Sequence, residues 1–141
     1  EVTRYHVDAI AARMITHPGT LDVVVASNLF GDILTDIGAA IQGGLGFAAA
    51  ANVNPSGGVP SMFEPVHGSA PDIAGRGLSN PIATIWSGAL MLEHLGEEAA
   101  AKAIMAAVET VAGTPERLTP DCGGSATTLE AAEAIASELQ G

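Results

Sequence analysis

The sequence predicts an α/β protein, and three observations carry that prediction. Apolar residues recur at helical spacing in five segments. One run, Leu21-Asp22-Val23-Val24-Val25-Ala26, is dense in β-branched residues after a turn, as a buried strand in a parallel sheet would be. Glycine and proline clusters punctuate the chain between these segments.

From Glu1 to about Thr16, Val2, Val7, Ile10, Met14 and Ile15 fall at helical rather than alternating positions. His17-Pro18-Gly19 stops that helix, because proline cannot continue it. The run over residues 21–26 follows as the strand. Ser27 or Asn28 then caps a helix from Leu29 to about Gln42. Gly43-Gly44-Leu45-Gly46 breaks it; these glycines follow a helix instead of opening one after a strand, so they read as a stop and hinge, not a dinucleotide fingerprint. A long Gly/Pro-rich connection reaches Pro60, and Met62-Phe63-Glu64 reads as a strand end.

Asn80-Pro81 is a helix start, with Asn as cap and Pro preset at the first position. That helix carries Ile82, Ile85, Trp86, Ala89 and Leu92 as a core stripe to Leu95, and Gly96 suits the left-handed terminal position. Another helix spans Glu97 to Val111, stopped by Gly113 and Pro115, with Glu97, Glu98 and Glu109 on a solvated face. The last opens at Thr127, with Glu130 at capping-box spacing. The composition suggests two regions joined near Gly43 to Gly46, neither complete alone.

The chain has 141 residues, and its 16 Asp+Glu against 5 Lys+Arg give a formal net charge of -11. No basic footprint exists to displace counterions from nucleic acid or to dock on an anionic membrane, so neither is an expected partner. A hydrophobic content of 48% supplies a core and argues against disorder. The one cysteine, Cys122, forms no internal disulfide, and the expected compartment is the cytoplasm. The chain opens Glu-Val-Thr without Met, and the expectation is a piece of something longer.

Asp32 and Asp36 stand four residues apart on a helix, so their carboxylates project from one face about one turn apart. The pair reads either as solvated helix-start acids favoured by the dipole or as oxygen ligands of Mg²⁺ or Mn²⁺. Asp8, on the first helix, reads alone as an exposed acid. His67-Gly68-Ser69-Ala70-Pro71-Asp72 is either a tight turn or a small-residue cradle whose backbone N–H groups approach an anion, with an acid nearby for ribose hydroxyls. Ser69 beside His67 is no hydrolase pair, since adjacent residues do not present nucleophile to base and no nucleophile elbow occurs. His6, His17 and His94 lack metal-ligand spacing, and Cys122 lacks a neighbouring base in sequence.

In order along the chain, Val7-Asp8-Ala9, Ser27-Asn28-Leu29-Phe30-Gly31-Asp32-Ile33-Leu34-Thr35-Asp36 and Phe63-Glu64-Pro65-Val66-His67-Gly68-Ser69-Ala70-Pro71-Asp72-Ile73-Ala74-Gly75 resemble the C-terminal part of a β-decarboxylating dehydrogenase, the isopropylmalate/isocitrate dehydrogenase family. Asn80-Pro81, Thr119-Pro120-Asp121 and Gly123-Gly124 fit as well, so the resemblance covers nearly the whole chain. Residues 63–66, 82–88 and 91–96 most resemble the tartrate/D-malate branch, with isopropylmalate dehydrogenase the alternative.

The resemblance implies the C-terminal portion of that fold, with helices packed on a mixed sheet: residues 1–43 from the substrate and dimerisation domain, 44–141 from the NAD-binding domain. It implies metal-assisted oxidation of a small 2-hydroxy diacid such as tartrate or D-malate, with NAD taking the hydride and the β-keto acid losing CO₂. Asp32 and Asp36 would ligate Mg²⁺ or Mn²⁺, and Asp8 would reach across a homodimer interface to the partner's site and assist proton relay. Glu64 would lie near the nicotinamide, His67, Gly68, Ser69 and Ala70 around adenosine and phosphates, Asp72 on the ribose hydroxyls and Asn80 on the adenine. Asp72-Ile73 replaces the basic/aromatic pair of NADP-preferring members, which implies NAD. The substrate-gripping arginines, the proton-transferring tyrosine and the partner lysine have no counterpart here, so the 141-residue chain alone is expected to lack turnover and to associate with itself or a complementary piece. The alternative of another class is a non-catalytic acidic interaction fragment, which metal and NAD binding would separate from the enzyme.

Overall fold

A computed structural model describes residues 2–140. The chain forms two compact units, 1–43 and 44–141.

The first unit is a helical pair. Helix α1 (Val7–Thr16) is followed by a short 3-10 turn (Pro18–Thr20) and helix α2 (Asn28–Ile41). The two helices pack on each other with Ile10, Leu34 and Ala39 buried. Helix α1 starts six residues later than the periodicity predicts, with residues 2–6 non-helical; Glu1 lies outside the described residues. Ser27 is the N-cap of α2, although its side chain makes no capping hydrogen bond.

Leu21–Ala26 is not a strand. The segment is unpaired, with a bend at Asp22, and Val23 and Val25 are 85% and 94% exposed. The reason is physical: β-branched residues favour extended backbone, but a strand exists only when a neighbour takes its N–H and C=O groups. Among the described residues the only sheet is β1–β2, in the other unit.

The second unit opens with a 3-10 turn (Leu45–Phe47), then β1 (Ala49–Asn52) and β2 (Met62–Pro65). These pair antiparallel, Ala50 opposite Glu64 and Ala51 opposite Phe63. Strand β1 falls inside the stretch that reads as a connection, because Ala-Ala-Ala-Asn carries no β signal and takes its conformation from its partner. Helices α3 (Ile82–His94), α4 (Glu98–Ala112) and α5 (Thr128–Glu138) complete the unit, α3 packing on both strands and on α4, and α4 on α5. The core is Ile82, Ala107, Val108, Val111, Leu118 and Ile135, all buried. Each large member contributes about 1.5–3 kcal/mol by leaving water.

The helix ends follow their residues. Gly96, at φ 87°, closes α3 with Glu97 N–H donating to the Leu92 carbonyl at 2.8 Å, a Schellman arrangement. At α5 the Thr127 hydroxyl accepts from the Glu130 N–H and the Glu130 carboxylate accepts from the Thr127 N–H, a complete capping box. That bond from the Thr127 backbone holds the Glu130 carboxyl below its ordinary value.

Candidate functional site

Within the second unit a cleft of about 300 Å³ is lined by Gly68, Ser69 and Ala70, by Ile73 to Gly75 in the following turn, and by Gly77, Leu78, Ser79 and Thr128. Its walls follow from local chemistry. Pro65 ends β2, and the turns beyond are held by Ile73 N–H on the Ala70 carbonyl and Arg76 N–H on the Ile73 carbonyl. Gly75 and Gly77 have positive φ, as turns of this kind require. Ala70 has φ 41°, the one non-glycine residue at positive φ among those described. That conformation costs about 1 kcal/mol or more and is concentrated in proteins at binding sites. A Cβ added to Gly68 would meet nothing within 4 Å, so the backbone there is open to a ligand.

The far wall comes from the start of α5. Thr128 donates its N–H to the Gly77 carbonyl at 2.8 Å and its hydroxyl to the Ser79 carbonyl at 2.6 Å. His67 adjoins the cleft residues in sequence; its Nδ1 lies 3.2 Å from the Gly68 carbonyl, and its Nε2 is buried with no partner. A buried, unpartnered ring nitrogen is costly, and a ligand's polar group is one way to satisfy it. Asp72 is exposed between the cleft-lining Ala70 and Ile73. Glu64 is exposed on β2, beside Phe63, whose ring packs at 5.5 Å on His94 of α3.

Asn80 is placed differently from its neighbours. It is 5% exposed, and its side chain is engaged within the protein. Oδ1 accepts from the N–H of Ile82, the first residue of α3, at 3.0 Å, although the N-cap position is Pro81, one residue later than the sequence predicts, while Nδ2 donates to Asp121 Oδ2 at 3.1 Å and to Cys122 Sγ at 3.4 Å. Asp121 in turn accepts from the Thr119 hydroxyl at 2.5 Å. Burial and the Asp121 carboxylate push the Cys122 thiol up to about 11, so it stays protonated and unreactive at neutral pH. Gly46 packs against this cluster and is more than a helix stop.

In the first unit, Asp32 and Asp36 are exposed one turn apart on α2, and Asp32 Oδ2 accepts from Asn28 Nδ2 at 3.3 Å. Asp8 is exposed at the start of α1, its Oδ1 accepting from the Ala9 N–H. No group of three or more His, Cys, Asp or Glu side chains among the described residues is close enough to hold a metal ion. Two water-facing carboxylates at this spacing fit part of the oxygen set of a hard cation, with other ligands supplied from elsewhere.

The sequence-predicted residues Gly68, Ser69 and Ala70 are therefore brought into one cleft, with His67 and Asp72 adjoining. Sequence reasoning missed Thr128, 49 residues from its partner Ser79. It also gave Asp121 no part beyond the motif. Only the small residues 68–70, with Gly77 and Ser79 ahead of a helix start, could have pointed to the far wall. A second groove of about 200 Å³, between Trp86, Glu93, Glu98 and Lys102, has no candidate residue in it.

Residues 1–137 match the isocitrate/isopropylmalate dehydrogenase family, and the chain belongs to that family. It is 54% identical over 140 residues to a probable tartrate dehydrogenase/decarboxylase of Bacillus subtilis strain 168, covering 99% of this chain and 39% of that protein. It is 52% identical over 137 residues to the decarboxylating D-malate dehydrogenase of Escherichia coli K12, covering 94% and 38%. A 3-isopropylmalate dehydrogenase of Streptomyces avermitilis is 55% identical over 126 residues, covering 86% and 36%. Among solved structures, isocitrate dehydrogenase from Methylococcus capsulatus superposes with a TM-score of 0.90 at 45% identity, over 96% of this chain and 40% of that one. The chain thus spans about two-fifths of the length of these relatives.

Proposed function

We propose that this chain is part of an NAD- and divalent-metal-dependent dehydrogenase that oxidises and decarboxylates a small 2-hydroxy diacid of the tartrate/D-malate type. The observation that carries this reading is the cleft built on Gly68, Ser69 and Ala70, in a chain about half identical to tartrate and D-malate dehydrogenases. NAD supplies the two-electron acceptor, and Mg²⁺ or Mn²⁺ supplies Lewis acidity at the substrate oxygens.

The chain's own residues have separable tasks. The open backbone at Gly68 to Ala70 admits the adenosine and phosphate portion, and His67, next to Gly68 in sequence, carries a buried ring Nε2 without a partner. Asp72 accepts from ribose hydroxyls and repels a 2′-phosphate, which selects NAD over NADP. Glu64 stands toward the nicotinamide end. Asn80 marks the adenine end, with its side chain spent on Ile82, Asp121 and Cys122. Asp32 and Asp36 hold the cation, and Asp8 completes the partner's site in a homodimer and assists proton relay there. Exposed Leu29, Phe30 and Ile33 on α2 support such pairing, because a run of large apolar side chains on one helix favours burial against a second surface. Residues 1–43 belong in this reading to the substrate and dimerisation domain, and 44–141 to the cofactor domain. No helix among the described residues is long and apolar enough to cross a membrane, and the setting proposed is the cytoplasm.

The test is a hybrid in which these 141 residues replace the matching segment of the E. coli D-malate dehydrogenase. Mn²⁺-dependent NAD reduction with D-malate or tartrate supports the proposal. A folded hybrid that neither binds NAD nor turns over would remove it. Preference for 3-isopropylmalate would favour the alternative that the S. avermitilis relative represents.

A further inference from the structure

We propose that Asp121 is a positioning residue for the adenine end of the cofactor cleft, acting through the side-chain amide of Asn80. The inference rests on the cofactor reading above, because it concerns the same cleft.

The argument begins with a buried amide whose donors are spent inward. Asn80 Nδ2 carries two hydrogens, and both have partners, Asp121 Oδ2 at 3.1 Å and Cys122 Sγ at 3.4 Å. Its Oδ1 holds the first N–H of α3. The side chain is therefore a fixed strut between the helix start and the 120–122 turn, and has no amide hydrogen left to offer a base. What it fixes is the preceding residue. Ser79 lines the cleft, and its carbonyl accepts from Thr128 on the opposite wall.

Asp121 is the part of the strut that charge makes strong. Its Oδ1 is tied by the Thr119 hydroxyl, itself 1% exposed, so its Oδ2 is aimed at Asn80. Asp121 is otherwise exposed, so its charge stays hydrated while it accepts a charge-assisted bond from a buried donor. Gly46 closes the other side: a Cβ there would fall 2.7 Å from Asn80 Nδ2 and from Asp121 Oδ2. The arrangement therefore leaves no slack for an alternative Asn80 rotamer.

The test uses the 141-residue chain, ADP-ribose as probe, and the variants Asp121→Ala, Asp121→Asn, Asn80→Ala and the double Asn80→Ala/Asp121→Ala. Asp121→Ala is expected to weaken ADP-ribose binding about tenfold, the scale of one lost charge-assisted hydrogen bond. The double variant is expected to bind no more weakly than Asn80→Ala alone, because Asp121 acts only through Asn80. Losses that add in full would overturn the proposal. Independently of any ligand, the Asn80 side-chain amide protons should exchange at least about tenfold faster in Asp121→Ala, and in Asp121→Asn the Cys122 alkylation profile should move down toward the ordinary thiol value of 9.0. Unchanged Asn80 amide signals would also overturn it. If the unsubstituted chain binds no ADP-ribose, the cofactor reading falls, and the amide exchange alone decides whether Asp121 pins Asn80.

Discussion

Substituting Gly46 by Ala probes the junction between the fold and the cleft directly. An alanine Cβ at this position would sit 2.7 Å from Asn80 Cβ, from Asn80 Nδ2 and from Asp121 Oδ2. Ordinary contact begins near 3.4 Å, so the methyl is roughly 0.7 Å too close to three atoms at once. Gly46 is not at positive φ, so the cost is steric and not conformational. Asn80 cannot swing aside without losing the bond from the Ile82 N–H and the bonds to Asp121 and Cys122. Overpacking of this kind costs about 1–3 kcal/mol. For a unit of this size that is a fall in Tm of roughly 5–20 °C. Urea unfolding should show a lower midpoint at unchanged slope, and the Asn80 amide resonances should move. Gly88→Ala is the control: it lies in α3, its Cβ would meet nothing within 4 Å, and it should stabilise by about 0.5–1 kcal/mol. A Gly46→Ala protein within about 0.3 kcal/mol of the parent, with Asn80 signals unmoved, would refute the reasoning.

Other perturbations separate core, cap and candidate metal ligands. Ile135→Ala, at a site 1% exposed, should cost about 2–5 kcal/mol in urea unfolding, whereas Val25→Ser, 94% exposed, should change stability by less than about 0.5 kcal/mol. Thr127→Ala should cost about 1 kcal/mol by breaking the capping box. Because Glu130 is held below its ordinary value, its contribution is present above the unfolded carboxyl value and is lost as pH falls through the lowered one; the stability of Glu130→Gln should be correspondingly less acid-sensitive in a pH series of melts. Asp32→Asn/Asp36→Asn should weaken Mn²⁺ binding at least about tenfold by calorimetry with the helical circular dichroism retained, since the change also removes a like-charge pair on α2.

Local chemistry made the helices legible. Asn80 with Pro81, Gly96, and Thr127 with Glu130 each mark a boundary through a bond that they make themselves, and the structure contains those bonds. Strands were legible only where sequence and partner agreed. Val23 to Val25 have the right residues but no neighbour, whereas Ala49 to Ala51 have the neighbour without the residues. The candidate site divides along the same line. Gly68 to Ala70 are contiguous and could be read as a cradle, but Thr128 and Asp121 reach the same end of the unit from more than 40 residues away, through contacts that no local spacing encodes.

Backbone amide shifts recorded while NAD is titrated into the chain test the central claim most directly. The account expects saturable changes at Gly68, Ser69, Ala70, Leu78, Ser79 and Thr128, with His67 among the side chains affected. Shifts confined to the groove at Trp86, Glu93 and Lys102, or no saturable shifts at all, would contradict the cofactor cleft and favour a non-catalytic acidic module.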